Sequence, residues 1–273
     1  MKTAGEPGKT GGVTSDRERR APDESLRAED ETLEPLLLGQ GYILQKRQGY
    51  RFSLDALLLA SLVTKRQKAG KACRYMDLGT GCGIVPILLA KWNPSLQGYG
   101  VEIQESLASL ARRNLLLHGF ENRLRILCAD MKSLPARFAR GSFDLVTINP
   151  PYRELHRGQI NPDPQKAMAR HELTVSLRDV CAVMGTLLKE KGRAFLIYPA
   201  ARFSELAAQL RTVGLEPRYV RPVHPKPGQS ALWVLVEAVY RGRERLLLDE
   251  ALYVKDGQDE YTEEVNSIFR WDG

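Results

Sequence analysis

Arg74-Tyr75-Met76-Asp77-Leu78-Gly79-Thr80-Gly81-Cys82-Gly83-Ile84 carries the clearest architectural signal in the chain. A short apolar run around one aspartate opens into a loop with glycine at 79, 81 and 83. An apolar run of this length, closed by glycines, reads as a buried strand. Glycines at such a place let the backbone turn tightly and approach a ligand without a Cβ in the way. The apolar stretch 84–92 that follows has helical length, so the whole is the first half of a βαβ unit.

The alternation continues outward from there. Segments 96–102, 124–128, 143–148 and 194–198 read as strands. Segments 104–118, 175–189 and 202–213 read as helices, the first with apolar residues at 107, 110, 111, 115 and 117. Two further strands, 216–223 and 231–240, flank the Pro/Gly-rich turn 224–229 and form a hairpin. The expected fold is α/β: a mostly parallel, Rossmann-like sheet of seven strands, helices on both faces, and an antiparallel hairpin at one edge.

The N-terminal residues 1–31 contain hardly any large apolar side chain and are rich in Gly, Pro and charge. Such a segment buries too little surface to offset its ordering entropy, so a disordered tail is expected there, with order beginning near Leu33. Residues 32–273 are expected to form one domain, with 32–72 as a cap over its cleft. The tail holds six Lys/Arg against eight Asp/Glu, whereas residues 32–273 hold 34 against 25. The folded part is therefore the basic part, which favours a polyanionic partner such as RNA. No apolar run approaches the length of a membrane span, and residues 1–20 lack the apolar core of a secretory signal, so a cytoplasmic location is expected. Cys73, Cys82, Cys128 and Cys181 are far apart and form no C-x-x-C pair, and His118, His156, His171 and His224 are dispersed. Neither a metal site nor a redox dithiol is expected.

The loop spacing is G-x-G-x-G, with Ile84 where a dinucleotide-binding fingerprint would place its third glycine. That departure points away from NAD and toward S-adenosylmethionine, which has no pyrophosphate to seat. In this reading Gly79 and Gly81 give the ligand access, and Asp77 orients its ammonium group. Glu102, at the end of the second strand, can accept two hydrogen bonds from a ribose diol. At the end of the third, Asp130 can receive the adenine amino group while Met131 packs on the ring.

The strand Phe143-Asp144-Leu145-Val146-Thr147-Ile148 runs directly into Asn149-Pro150-Pro151-Tyr152. An exocyclic base amine or a side-chain amide is a poor nucleophile, because its lone pair is delocalised. The Asn149 side-chain carbonyl and the Pro150 backbone carbonyl can each accept one N–H, holding the nitrogen toward the methyl donor and favouring pyramidalisation. The prolines stiffen both acceptors, and Tyr152 offers a face on which a planar group stacks. No Pro-Cys pair is present, which disfavours the cysteine-nucleophile route to pyrimidine C5.

Two flanking stretches complete the reading. The polar connection 153–171 carries Arg153, His156, Arg157, Lys166, Arg170 and His171, which either grip phosphates or form a solvated lid. In Gln48-Gly49-Tyr50-Arg51-Phe52-Ser53-Leu54-Asp55-Ala56-Leu57-Leu58-Leu59-Ala60, Ser53 reads as a helix N-cap. Phe52 and Asp55 either close over the cofactor or serve as a packing aromatic and a first-turn acid.

With these stretches, with Ala169-Arg170-His171-Glu172, and with the terminal Leu248-Asp249-Glu250 and Tyr261-Thr262-Glu263-Glu264, the chain from about Gln40 onward resembles the bacterial tRNA1(Val) (adenine(37)-N6)-methyltransferases. The resemblance implies a class I methyltransferase fold and methyl transfer to N6 of an anticodon-loop adenine. It implies that Asn149 through Tyr152 handle the base, and that Gly79, Gly81, Glu102 and Asp130 hold the cofactor. Glutamine N5 methylation of a protein poses the same electronic problem and uses the same tetrad. Guanine-N2 methylation of ribosomal RNA, and a non-catalytic RNA-binding role, are further alternatives.

Overall fold

A computed structural model describes residues 24–37, 41–49, 51–150 and 175–270. The first elements are a small antiparallel sheet, β1 (Glu31–Pro35) and β2 (Tyr42–Lys46), in which Leu33 faces Leu44 across the pair. Helix α1 (Leu54–Arg66) follows. The alternating body is β3 (Cys73–Leu78), α2 (Ile84–Trp92), β4 (Leu96–Glu102), α3 (Glu105–Leu117), β5 (Leu124–Cys128), a single helical turn α4 (Leu134–Arg137), β6 (Phe143–Ile148), α5 (Leu177–Leu187), β7 (Leu188–Pro199) and α6 (Phe203–Thr212). The chain ends with β8 (Leu215–His224), β9 (Trp233–Tyr240), the two-residue strands β10 (Leu247–Leu248) and β11 (Leu252–Tyr253), and α7 (Glu263–Arg270).

Strands β3 to β11 form one sheet in the order β10-β8-β9-β7-β6-β3-β4-β5, with β11 also on β8. Only β9 runs against the rest. The order reverses between β3 and β6, so that point is the switch at which open α/β sheets bind ligands. Both faces are covered. Tyr75 of β3 packs with α1, α2 and α3 on one side, while its neighbours Met76 and Leu78 pack with α5 and α6 on the other.

The seven expected strands are present, and the sheet is larger than expected by β10 and β11. These parallel additions lie on the outer side of β8, so the β8–β9 hairpin is not an edge. Strands of two residues cannot display an alternation, which is why the sequence pattern did not mark them. The helix expected over 175–189 stops at Leu187, because β7 begins immediately at Leu188. Its start is set by a capping box in which the Ser176 hydroxyl accepts from the Asp179 N–H and the Asp179 carboxylate accepts from the Ser176 N–H. Ser53 stands at the N-cap position of α1, but its hydroxyl donates to the Asp55 carboxylate and caps no backbone N–H.

The expected tail lies outside the described residues over 1–23, but its last part is structured. Glu24–Leu26 makes a 3-10 turn, and Glu31 opens β1 with no solvent exposure. Burial alone would raise the Glu31 pKa. Hydrogen bonds from Arg113, from the Ala28 N–H and from Lys46 outweigh it and hold it down at about 2. These partners explain why an acid-rich segment joins the fold: α3 and β2 supply the countercharges.

The β1–β2 sheet is tied to the body by Asn114 of α3, which is completely buried. Its carbonyl accepts from the Leu44 N–H at 2.8 Å, and its amide nitrogen donates to the Leu44 carbonyl at 3.0 Å and the Cys82 carbonyl at 2.9 Å. All four cysteines are free thiols, and burial pushes those of Cys73, Cys82 and Cys181 up to about 12, which keeps them protonated. No helix among the described residues is long and apolar enough to cross a membrane.

Strand β4 tolerates no side chain at Gly98, where an added Cβ would stand 1.9 Å from the Tyr75 carbonyl oxygen. Gly98→Ala is expected to destabilise the protein by about 3 kcal/mol or more, since backbone rather than a pliable side chain must shift. Urea denaturation followed by circular dichroism measures this, and an unchanged midpoint contradicts it.

Candidate active site

Neighbouring strand ends build the site. Leu78 pairs with Ile148 on one side and Val101 on the other, so the chain leaves the sheet at Gly79, Asn149 and Glu102 side by side. Glu102 pairs in turn with Cys128, which places Asp130 just beyond the next strand end.

The loop after β3 turns through glycines at φ 68, 56 and 85 (Gly79, Gly81 and Gly83), all in the left-handed region. A Cβ on Gly79 would meet no heavy atom within 4 Å, so this part of the loop faces open space. Glu102 is nearly buried, and each of its oxygens accepts a backbone N–H: Gly81 at 3.0 Å and Gln104 at 3.0 Å. Burial raises its pKa, opposed by these bonds. The carboxylate is thereby fixed against the glycine loop, and each oxygen keeps acceptor capacity for a hydroxyl.

Asp77 is buried beneath the loop. The Thr147 hydroxyl donates to its Oδ1 at 2.5 Å and therefore accepts from the Tyr75 hydroxyl, also at 2.5 Å. The result is a directed chain from Tyr75 through Thr147 to Asp77. Burial pushes the Asp77 carboxyl up to about 6, against the pull of its hydrogen bonds.

Asp130 accepts from the Lys132 N–H at 2.8 Å and caps the 3-10 turn Met131–Ser133, while Lys132 Nζ stands 3.4 Å from its other oxygen. Met131 packs against the core under α5. Phe52 packs against the core on the α1 side, and its N–H donates to the side-chain oxygen of buried Gln45 at 3.2 Å. Asp55, expected beside the cofactor, meets Asn149: Asn149 Nδ2 donates to Asp55 Oδ2 at 2.9 Å. Pro150 is half-buried beside it. Pro151, Tyr152, Arg153, His156, Arg157, Lys166, Arg170 and His171 lie outside the described residues.

The structure thus brings together Gly81 with Glu102 and Asp55 with Asn149, and lines up Gly79 between them. The supporting residues Asn114, Gln45, Thr147 and Tyr75 were not foreseen. Asn114 alone left a mark in the sequence, as a polar residue on the apolar face of α3 three positions after Ala111. The terminal runs act at the sheet edge: Asp249 accepts from the Tyr219 hydroxyl, and Glu264 pairs with Arg221 and Lys65. Among the described residues no group of His, Cys, Asp and Glu could hold a metal ion.

A family profile for a methyltransferase domain matches residues 69–256. A solved structure described as a predicted O-methyltransferase from Agrobacterium tumefaciens is similar with a TM-score of 0.64 and 25% identity, covering 80% of this chain and 96% of that one. Fold and site together define a class I methyltransferase. A tRNA1(Val) (adenine(37)-N6)-methyltransferase of Porphyromonas gingivalis is 32% identical over 185 residues, 65% of this chain and 71% of the relative. One of the same name from Pedobacter heparinus is 27% identical over 221 residues, 81% of this chain and 89% of the relative. The chain belongs to the tRNA1(Val) (adenine(37)-N6)-methyltransferase family.

Asp77 yields a prediction with a defined sign. Its folded pKa of about 6 lies above the ordinary 3.8, so the folded protein holds the proton more tightly than the unfolded chain. Stability therefore falls as pH rises across that interval and stays reduced above it. Asp77→Asn is expected to stabilise the protein by up to about 3 kcal/mol near pH 7.5 and by little near pH 4. Urea midpoints at the two pH values measure this, and an equal gain at both contradicts it.

Proposed function

We propose that the protein transfers a methyl group from S-adenosylmethionine to the exocyclic N6 of an adenine in tRNA, with the anticodon-loop adenine at position 37 of tRNA1(Val) as its acceptor. The observation that carries this reading is the position of Asn149. It leaves β6 at the switch point, beside the open glycine loop, with its amide nitrogen directed to Asp55. The names of its relatives, and the surplus of 34 basic over 25 acidic residues in 32–273, support an RNA acceptor.

The residues present fit the cofactor. Gly79 faces open space at the strand end, its left-handed φ disfavouring any side chain, Gly81 and Glu102 form one hydrogen-bonded unit able to take a ribose diol, and Asp77 supplies a buried carboxylate below. Asp130, with Met131 beside it, would border the adenine. Phe52 would close the cleft from the segment that leads into α1. When bound, S-adenosylmethionine supplies a methyl group on a positively charged sulfur.

Asn149 Oδ1 and the Pro150 carbonyl would each accept one N–H of the acceptor amine. Its nitrogen lone pair is then drawn out of conjugation and toward the methyl carbon. This nitrogen would take the methyl carbon from the donor held by the glycine loop and Glu102, the C–S electron pair staying with the donor, and would then lose one proton to water. As positive charge grows on nitrogen both acceptors bind more strongly, so their effect falls on the transition state. Pro151 and Tyr152 would hold the base, and Arg153, Arg157, Arg170 and His171 the flanking phosphates. An anticodon-loop base is unpaired, so placing it there carries little unpairing cost.

Incubation with labelled S-adenosylmethionine and either total tRNA or total protein tests the reading. Label is expected in N6-methyladenosine, and label in methylglutamine overturns it. Asn149→Ala is expected to lower the rate at least about 100-fold while changing cofactor affinity less than about threefold. Glu102→Ala is expected to weaken cofactor binding about 10-fold or more, measured by calorimetry.

A further inference from the structure

Two residues 94 positions apart in the chain meet at 2.9 Å: Asn149 at the end of β6 and Asp55 in the first turn of α1. An ionised carboxylate only accepts, so this contact identifies the Asn149 atom facing α1 as the amide nitrogen. Oδ1 then lies in the same amide plane, on the other side of the Cβ–Cγ axis, turned away from Asp55. Asp55 is itself held: its Oδ1 accepts from the Ala56 N–H at 2.9 Å and from the Ser53 hydroxyl at 2.5 Å. That leaves Oδ2 as the oxygen presented to Asn149.

The segment carrying Asp55 is fixed from both directions. Upstream, the Phe52 N–H is held by Gln45, which donates in turn to Glu34 at 2.9 Å. Downstream, Arg66 at the end of α1 bonds the buried Glu237 of β9 at 2.8 Å. The carboxylate is therefore delivered by a helix anchored at both ends, not by a loose side chain.

We propose that Asp55 is a positioning residue for methyl transfer, acting through Asn149. It selects the amide orientation that aims Oδ1 at the acceptor amine. A charged partner at Nδ2 also polarises the amide, leaving more electron density on Oδ1 as the amine becomes positive. This rests on the assignment of Asn149 as the group that binds the amine. Because the benefit arises as charge develops, it belongs in kcat and not in ground-state binding.

The test uses the full chain, S-adenosylmethionine and an unmodified tRNA transcript with adenine at position 37. Asp55→Ala is expected to lower kcat about 10- to 100-fold, the range that a hydrogen bond to a charged group supports. KM for the tRNA and the affinity for S-adenosylmethionine should stay within about threefold. Asp55→Asn keeps one acceptor oxygen without the charge, is nearly isosteric, and is expected to fall between Asp55→Ala and the unsubstituted protein. In an Asn149→Ser background, Asp55→Ala should change the residual single-turnover rate by less than about threefold.

An unchanged kcat in Asp55→Ala overturns the proposal. So does a loss confined to cofactor affinity, which would make Asp55 a cofactor ligand, or an equal loss in the Asn149→Ser background. Full activity of Asn149→Ser itself would instead sink the reading of Asn149, so the two failures are distinguishable.

Discussion

The arrangement of the catalytic end depends on one buried amide. Asn114 has no contact with solvent, and a side-chain amide in that position destabilises a protein unless its hydrogen-bonding groups find partners. Its partners belong to two different parts of the chain: both backbone groups of Leu44 in the N-terminal sheet, and the carbonyl of Cys82 in the glycine loop. Satisfying Asn114 therefore sets the position of β2 relative to the loop. Everything that β2 supports, from Gln45 to Phe52 and the start of α1, inherits that position.

Helix α1 acts as a strut. One end reaches Asn149 through Asp55, and the other reaches the far half of the sheet. There Arg66 and Arg193 share the buried carboxylate of Glu237, and Lys65 joins Arg221 on Glu264. A buried acid with two guanidinium partners is costly to disrupt from either side, although it adds less net stability than its geometry suggests. Its value here is geometrical. The β8–β9 region and the Asn149 corner are connected by one rigid element, so the leucine-rich face of α1 has structural work at both ends.

The sheet was legible in the sequence because its strands are long enough to show a pattern and are punctuated by glycine. That Gly79 and Gly81 form a tight loop beside the strand-end acid Glu102 was legible for a related reason: such a loop and such an acid recur at fixed offsets from a strand. What could not be read is how separate segments meet. Asp55 is a plausible first-turn acid from local sequence alone, and nothing within several residues of it specifies Asn149. Glu31 sits in a stretch whose composition indicates disorder, and its partners Arg113 and Lys46, distant in sequence, help to reverse that. Thr147 and Tyr75 look like ordinary strand residues until register places their hydroxyls over Asp77. Pairwise contacts of this kind are properties of the folded chain, to which periodicity is blind.

The single reversed strand has a consequence for biosynthesis. β9 lies between β7 and β8 in space but follows both in the chain. While a ribosome is still making residues beyond 224, β7 presents an open edge, and β8 has none of its neighbours, since β9, β10 and β11 all come later. Strand edges left unpaired during synthesis are where chains associate wrongly. The interval is closed by insertion of the last long strand into the middle of a half-built sheet.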